Sequence, residues 1–187
     1  DVASLWSDRI ASSLADFHAE YPLRDGLRRE ELRQRSARYA QSELFDWVLG
    51  QMEAAGRVEI RCSVVCLTGH SIEFSEEENV LRQRVEKLVR TRDWAALQDA
   101  AGLARSLGIS PSTLDPVLRA LQSLRIVINL EGGMLLHVDI VAEARETLCT
   151  LLEENDGVTV SAYRALMDCN RKCAMALLLS LIHISEP

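Results

Sequence analysis

The sequence predicts a mainly α fold with small β-hairpins, arranged as tandem winged-helix (helix-turn-helix-like) modules. Three observations indicate this fold: a repeat with a period of roughly 65–70 residues, long stretches with apolar residues three and four positions apart, and short β-branched runs that close a repeat. We expect modules at residues 1–70 and 71–137, followed by an incomplete module at residues 138–178.

The first module shows the complete pattern. Apolar periodicity predicts helices over residues 2–18 and 44–52, and the stretch Arg28–Arg35 is expected to form a helix between them. Two β-branched runs at residues 58–60 and 64–67 then predict a hairpin. Helices followed by a hairpin are typical of a winged helix.

In the second module, the residues that mark the starts of the helices are clearer. Ser75 and Glu78 form a capping-box pattern, which predicts the start of a long helix. A shorter helix is expected near Leu97–Leu107, and a third is expected to open after Ser110 at Pro111. Runs at residues 126–130 and 134–137, joined by Glu131-Gly132-Gly133, predict the hairpin.

The third module is predicted to lack its wing. A helix is expected from Asp139, then a short strand at Val158–Val160, a helix capped by Ser161, and a last helix from about Asn170. Residues 179–187 show neither a helical period nor a turn signal. They resemble a peptide that is produced when sequencing-adapter DNA is translated by mistake. We therefore interpret them as a non-native tail, the alternative being a genuine apolar strand.

Composition limits the functions that the chain can have. It carries a net charge of −7, with 48% hydrophobic and 5% aromatic residues, and none of the three predicted modules is basic overall. Any nucleic-acid site must therefore be small and focused. The sequence shows no apolar run of membrane-spanning length and no secretion signal, and its five cysteines suit a reducing compartment. We expect a cytoplasmic protein with no membrane contact.

No catalytic motif is apparent. The sequence has no phosphate loop, dinucleotide-binding loop, nucleophile elbow or zinc-protease motif, so an enzyme is not expected. Cys62 and Cys66 are spaced C-x3-C, as are Cys169 and Cys173. Zinc sites usually show tighter pairs with additional ligands, so we expect no metal and interpret these cysteines as small buried residues.

Two basic clusters are candidate phosphate-binding sites. Asn170, Arg171 and Lys172 stand at the predicted start of the last helix, where cations add to a positive helix end. The alternative is that these charged side chains only make the surface of the protein soluble. Arg28, Arg29 and Arg33 form a secondary basic patch, but nearby acidic residues favour a solvated helix face there.

Three segments resemble one bacterial family. Residues 17–33 are similar to an F-H-x-x-x-P-L-x-x-G-x-x-x-E-E-L-R segment of the selenocysteine-specific elongation factors (the SelB family). Residues 158–166 resemble the I-T-V-A-E-F-R-D-L run of that family, and residues 170–178 resemble its S-R-K-Y-A-L-P-L-L helix. Here Cys173 replaces the aromatic residue that follows the Arg-Lys pair.

The resemblance implies a function and a set of partners. Family members carry an N-terminal GTPase, with GTP and Mg²⁺, followed by four winged helices, so this chain would hold the second, the third and most of the fourth, without a cofactor of its own. The last winged helix would bind an mRNA hairpin, the selenocysteine insertion element, beside a recoded UGA codon. Arg171 and Lys172 would contact phosphates, assisted by Asn170. The ribosome and selenocysteinyl-tRNA would be partners of the full-length factor. The chain is expected to be monomeric.

Two alternatives remain at this point. A DNA-binding regulator would need cations along a recognition helix, whereas the helix predicted at residues 111–124 carries only Arg119. The second alternative is a protein-interaction scaffold of packed winged helices, and the negative net charge of the chain fits this role.

Overall fold

The structure is a computed structural model that describes residues 2–61, 63–94, 97, 99–154 and 157–185. Contacts divide the chain into two compact units, unit 1 (Asp1–Phe74) and unit 2 (Ser75–Pro187). The finer division into modules at 71–137 and 138–178 stays a prediction. Cys62 and the last two residues of the predicted tail lie outside the described residues.

Unit 1 is a winged helix. Its elements follow one another as α1 (Val2–Glu20), β1 (Leu27–Arg28), α2 (Arg29–Ser36), α3 (Ser42–Ala54), β2 (Val58–Arg61) and β3 (Val64–Leu67). The strands form an antiparallel sheet in the order β1-β3-β2. The predicted helices and hairpin are confirmed, whereas β1 was missed because a two-residue strand has no periodicity to detect.

One apolar core holds unit 1 together. The inner face of α1 packs against α2, α3 and the sheet, as its three- and four-residue spacing requires. The fully buried large side chains of this core are Ile10, Leu14, Phe17, Leu27, Leu32, Phe45, Leu49 and Met52.

Unit 2 contains the remaining helices and a second hairpin. Its elements are α4 (Glu76–Val89), α5 (Ala100–Leu107), α6 (Pro111–Ser123), β4 (Val127–Asn129), β5 (Leu135–His137), α7 (Val138–Glu154), α8 (Val160–Leu166) and α9 (Arg171–Ser185). The predicted capping box is present at Ser75 and Glu78, and Ser110 caps α6 as expected. The predicted hairpin is also confirmed, with β4 and β5 antiparallel.

Two predicted boundaries in unit 2 are wrong. Helix α5 begins at Ala100 and not near Leu97, because the Asp99 carboxylate accepts a hydrogen bond from the Gly102 backbone N–H at 2.6 Å. Val158–Val160 is not a strand. The Thr159 hydroxyl caps α8 by accepting from the Ala162 N–H at 3.2 Å, so the helix starts before Ser161.

The segment that follows residue 178 is helical, which corrects the expected lack of helical structure. Helix α9 continues through Ser185. Ser180 and Leu181 are buried, and the Glu131 backbone N–H donates to Ser180 Oγ at 3.3 Å. Leu177 and Leu181, one turn apart, share the buried face, and extending an existing helix is much easier than starting one. The non-native origin of residues 179–187 stays a prediction.

Gly26 lies immediately before β1, where the backbone comes very close to β3. A Cβ atom at this position would lie 2.4 Å from the carbonyl oxygen of Val65 and 2.9 Å from its carbonyl carbon. Both distances are far inside van der Waals contact, so glycine is required for the close approach.

We expect Gly26→Ala to lower the free energy of unfolding by about 1–3 kcal/mol, because the strand must shift to admit the methyl group. Gly50→Ala is the matched control: among the described residues nothing lies near its Cβ position on α3. That change should raise the free energy of unfolding by roughly 0.5–1 kcal/mol. Urea unfolding followed by circular dichroism measures both, and equal effects would contradict the close approach at Gly26.

Candidate nucleic-acid interface

The candidate RNA-binding residues follow helix α8, which is anchored by a buried tyrosine. Tyr163 is fully buried, and its hydroxyl donates to the backbone carbonyl of Ala144 on α7 at 2.9 Å. Burial raises the pKa of Tyr163, so this phenol keeps its proton and remains a donor. The bond ties α8 to α7 and sets the direction from which the chain enters the next turn.

A left-handed turn joins α8 to α9. Asp168 has φ +46°, a conformation that aspartate tolerates better than most residues, and it stands where many helices place a glycine. The Cys169 N–H donates to the Arg164 carbonyl at 3.2 Å, which is the closing bond of a Schellman motif. The turn therefore ends α8, and α9 begins only a few residues later.

Asn170 is the N-cap of α9. Its side-chain oxygen accepts a hydrogen bond from the Cys173 backbone N–H at 2.9 Å, and its carbonyl accepts from the Ala174 N–H at 3.0 Å. The acceptor oxygen of Asn170 is thus used to start the helix. Only its amide group can still donate to an RNA phosphate, as the expected assisting role would require.

Arg171 and Lys172 occupy the first turn of α9 and are both exposed. Arg171 has no ion-pair partner among the described residues. The first backbone N–H groups of a helix lack acceptors within the helix and form its positive end. The structure therefore brings two cationic side chains together with a positive helix terminus.

Buried cysteines flank the cationic pair. Cys169 and Cys173 are both buried, and burial raises the pKa of each thiol. They behave as small apolar residues that fix the turn and the helix to the core, as expected from the sequence. Cys66 is likewise buried, with a raised thiol pKa.

Side chains from the segment after α4 contact the same turn. Trp94 Nε1 donates to the Asp168 carbonyl at 3.0 Å, and Arg92 Nη1 donates to the Met167 carbonyl at 3.2 Å. Arg92 also forms an ion pair with Glu143 on α7. These two residues could not be predicted from the sequence, because the partners are 74 and 75 positions apart and no local pattern links them.

The secondary basic patch lies in unit 1 and is largely neutralised. Arg29 pairs with Asp46 at 3.1 Å. Arg33 pairs with Glu30 at 2.6 Å and also donates to the Ala40 carbonyl. Hydrogen bonds from Arg33, and secondly from Gln34, lower the pKa of Glu30 to about 2. Arg28 is exposed and has no ion pair within the described ranges. These contacts are those of a solvated helix face.

Two titratable side chains of unit 1, His18 and His70, form a stacked pair. The rings of His18 and His70 lie 3.5 Å apart, centroid to centroid. His18 Nε2 accepts a hydrogen bond from the Leu67 N–H at 3.4 Å, and its Nδ1 is buried without a partner in the described structure. Burial, and secondly His70, lowers the pKa of His18 to about 4. His18 is therefore a neutral, structural residue near pH 7.

Neither a metal centre nor a membrane span is found in the described part of the chain. No group of three or more His, Cys, Asp or Glu side chains could hold a metal ion there. No helix within the described ranges is long and apolar enough to cross a membrane.

Comparison with known proteins identifies relatives of this fold. Residues 11–67 match the family model of the winged helix of elongation factor SelB. The chain is also 23% identical, over 177 residues, to the selenocysteine-specific elongation factor of Escherichia coli (strain K12). The match covers 95% of the chain and 28% of the relative, so the chain spans less than a third of that protein's length. The winged-helix fold and the resemblance predicted from the sequence are confirmed, and a winged helix is a non-catalytic domain.

We expect Asn170→Ala to destabilise the first turn of α9 by about 1 kcal/mol, because the Cys173 N–H loses its acceptor. Asn170→Asp keeps the acceptor and places a negative charge at a helix N-terminus, so it should preserve stability. Hydrogen exchange of peptides from the start of α9 measures the difference. Equal protection in the two variants would contradict the capping role.

The histidine pair predicts a pH dependence for unit 1. The unfolded chain binds a proton at His18 below its ordinary pKa of 6.5, whereas the folded unit does so only near pH 4. The free energy of unfolding should therefore fall as the pH decreases from about 6.5 towards 4. Hydrogen exchange of α1 peptides at pH 6.5 and 5 measures this loss.

His18→Gln removes the titrating group, so the loss between pH 6.5 and 5 should be smaller in this variant. Glu30→Gln serves as the control. The stability that depends on the lowered Glu30 pKa is lost only as the pH falls below about 4.5. A loss of the same size in the His18→Gln variant would show that His18 is not responsible.

Proposed function

We propose, from the assignment of this chain to the C-terminal winged-helix region of SelB, that it binds an mRNA hairpin during UGA recoding in translation. The family match and the 95% coverage by the Escherichia coli factor support the assignment. The hairpin would be a selenocysteine insertion element.

One observation carries the proposed site. Arg171 and Lys172 follow one another in the sequence, and both are exposed at the N-terminus of α9. Two cations and a positive helix end can bind adjacent phosphates of an RNA backbone. A chain with a net charge of −7 needs its cations focused in this way if it is to bind a polyanion.

The shape of RNA hairpins suits a small contact of this kind. Proteins recognise hairpins by backbone geometry, by bases splayed from the loop, and by 2′-hydroxyl groups more than by groove reading. Arg171 and Lys172 would contact phosphates, and the side-chain amide of Asn170 would donate at the same helix end. Arg28, Arg29 and Arg33 form a secondary patch, where Arg28 is best placed to contact RNA because it is exposed and unpaired among the described residues.

The remaining partners would be reached through the full-length factor. The Escherichia coli relative is named a selenocysteine-specific elongation factor, so we propose that the ribosome and selenocysteinyl-tRNA are partners of the whole protein. GTP and Mg²⁺ would bind in its GTPase domain, and this chain would need no cofactor of its own. The chain would act as a monomer, in the cytoplasm where translation occurs.

A protein-interaction role is the second candidate for unit 1. Trp47 is 54% exposed and Leu44 is 43% exposed, and both lie on the outer face of α3. Exposed aromatic residues are enriched at protein interfaces. Unit 1 would then serve as a spacer or scaffold while α9 contacts RNA.

We expect Arg171→Ala combined with Lys172→Ala to weaken hairpin binding at least tenfold, because each lost phosphate contact removes a charge-assisted bond. Fluorescence anisotropy of the chain with a labelled looped RNA hairpin measures binding at several salt concentrations. The slope of log affinity against log salt should also become shallower, by an amount that corresponds to about two phosphate contacts. Helical circular dichroism should be unchanged.

Two competitors and one control variant complete this experiment. A hairpin with a scrambled loop should bind more weakly than the intact hairpin, and duplex DNA should bind weakest. Arg28→Ala combined with Arg29→Ala removes the same charge from unit 1 and should have a smaller effect. Unchanged binding by the α9 double variant would refute the site, and preference for duplex DNA would favour a DNA-binding regulator.

A further inference from the structure

We propose that Arg92 and Trp94, in the segment between α4 and α5, are positioning residues for the RNA contact at the start of α9. The inference rests on the proposed function and deepens it. It names residues outside the contact that set the direction of the cationic side chains. Neither residue lies in the three short motifs, at residues 17–33, 158–166 and 170–178, that were compared with the SelB family above.

Trp94 holds the turn through its indole N–H. The donor Nε1 lies 3.0 Å from the Asp168 carbonyl oxygen, and the ring is half-buried. Asp168 carries the left-handed φ of the α8–α9 turn, and Asn170 caps α9 only two residues later. A hydrogen bond to this carbonyl therefore restrains the peptide plane from which the cationic helix end departs.

Arg92 restrains the neighbouring peptide. Its Nη1 donates to the Met167 carbonyl at 3.2 Å, while its Nη2 pairs with Glu143 on α7. Two consecutive carbonyls of the α8–α9 turn thus each accept a hydrogen bond from one short segment. The turn cannot rotate as a rigid body without losing both bonds, so two weak restraints act together.

The C-terminal half of α9 also contacts the loop between β4 and β5. The Glu131 N–H, in the loop between β4 and β5, donates to Ser180 Oγ at 3.3 Å. Leu177 and Leu181 of α9 are buried. With its later turns fixed in the core and its first turn fixed through Arg92 and Trp94, α9 is presented in a single direction.

Fixed direction matters because the cationic site is small. The contact consists of two side chains. A displacement of the helix end by about 1 Å therefore misplaces a large part of the contact. The pair of donors at Arg92 and Trp94 would reduce that tilt before RNA arrives. The free energy of ordering the turn would then not have to be supplied by the RNA contact.

The test uses substitutions that remove a donor and keep the rest of the side chain as far as possible. Trp94→Phe removes the indole N–H and keeps an aromatic ring. Arg92→Gln removes the guanidinium group and its bonds to Met167 and Glu143. We expect each variant to bind the RNA hairpin about threefold to tenfold more weakly, as befits the loss of one or two hydrogen bonds.

The salt dependence of binding separates positioning from direct contact. A positioning residue touches no phosphate, so the slope of log affinity against log salt should match that of the unchanged chain. A residue that contacts a phosphate lowers this slope by about one when its charge is removed. A lowered slope for Arg92→Gln would therefore overturn the proposal and make Arg92 part of the contact.

Matched controls exist for both variants. Arg90→Gln removes the same charge two positions away, where the side chain pairs with Asp139 at 3.0 Å. Trp47→Phe makes the same exchange on exposed α3 of unit 1. Both should leave RNA binding unchanged within about twofold. Helical circular dichroism, recorded for every variant, should also be unchanged.

The outcomes distinguish this inference from the proposed function. Normal binding by the Arg92→Gln and Trp94→Phe variants, with loss in the Arg171→Ala/Lys172→Ala variant, overturns positioning and leaves the RNA site standing. Normal binding by the Arg171→Ala/Lys172→Ala variant refutes the RNA site itself. Loss in Trp94→Leu with normal binding in Trp94→Phe indicates that the ring contacts RNA, which also overturns positioning.

Discussion

The left-handed turn at Asp168 is the constraint on which the candidate interface depends. It ends α8 and sets the point from which α9 begins. Aspartate in this conformation is less favourable than glycine, so surrounding contacts must stabilise it. They do so through the Schellman bond from Cys169 to Arg164 and the donor at Trp94. The exposed cations follow directly from this turn, because Asn170 then caps the helix and Arg171 opens it.

Unit 2 shows how small helical modules share stability. Modules of roughly 60 residues bury a limited part of their surface and are marginal alone. Here the segment after α4 contacts the α8–α9 turn, and α9 packs near the loop between β4 and β5. Tyr163 adds a buried hydrogen bond between α8 and α7. The parts predicted as separate modules therefore share their contacts within one compact unit.

Charge distribution differs between the two basic clusters. In unit 1, Arg29 and Arg33 pair with carboxylates, and Arg33 also donates to a backbone carbonyl. Such pairs stabilise the helix surface only modestly and leave little potential for a polyanion. At the start of α9, Arg171 has no ion pair among the described residues and the helix end adds to its field. A cluster's number of arginines is thus a poor guide to whether it can bind RNA.

The amino-acid sequence alone predicts the features that depend on near neighbours. Helix periodicity, the capping box at Ser75, the Ser110 cap and both hairpins were predictable because their bonds join residues a few positions apart. It failed at Val158–Val160, where two caps, Thr159 and Ser161, compete within three residues, and at residues 179–185, where packing prolongs α9. Only the folded chain shows that Gly26 meets Val65, that Tyr163 reaches Ala144, and that Arg92 and Trp94 donate to the turn before Arg171. These contacts join residues far apart in the chain, and a side chain's local sequence does not specify its distant partner.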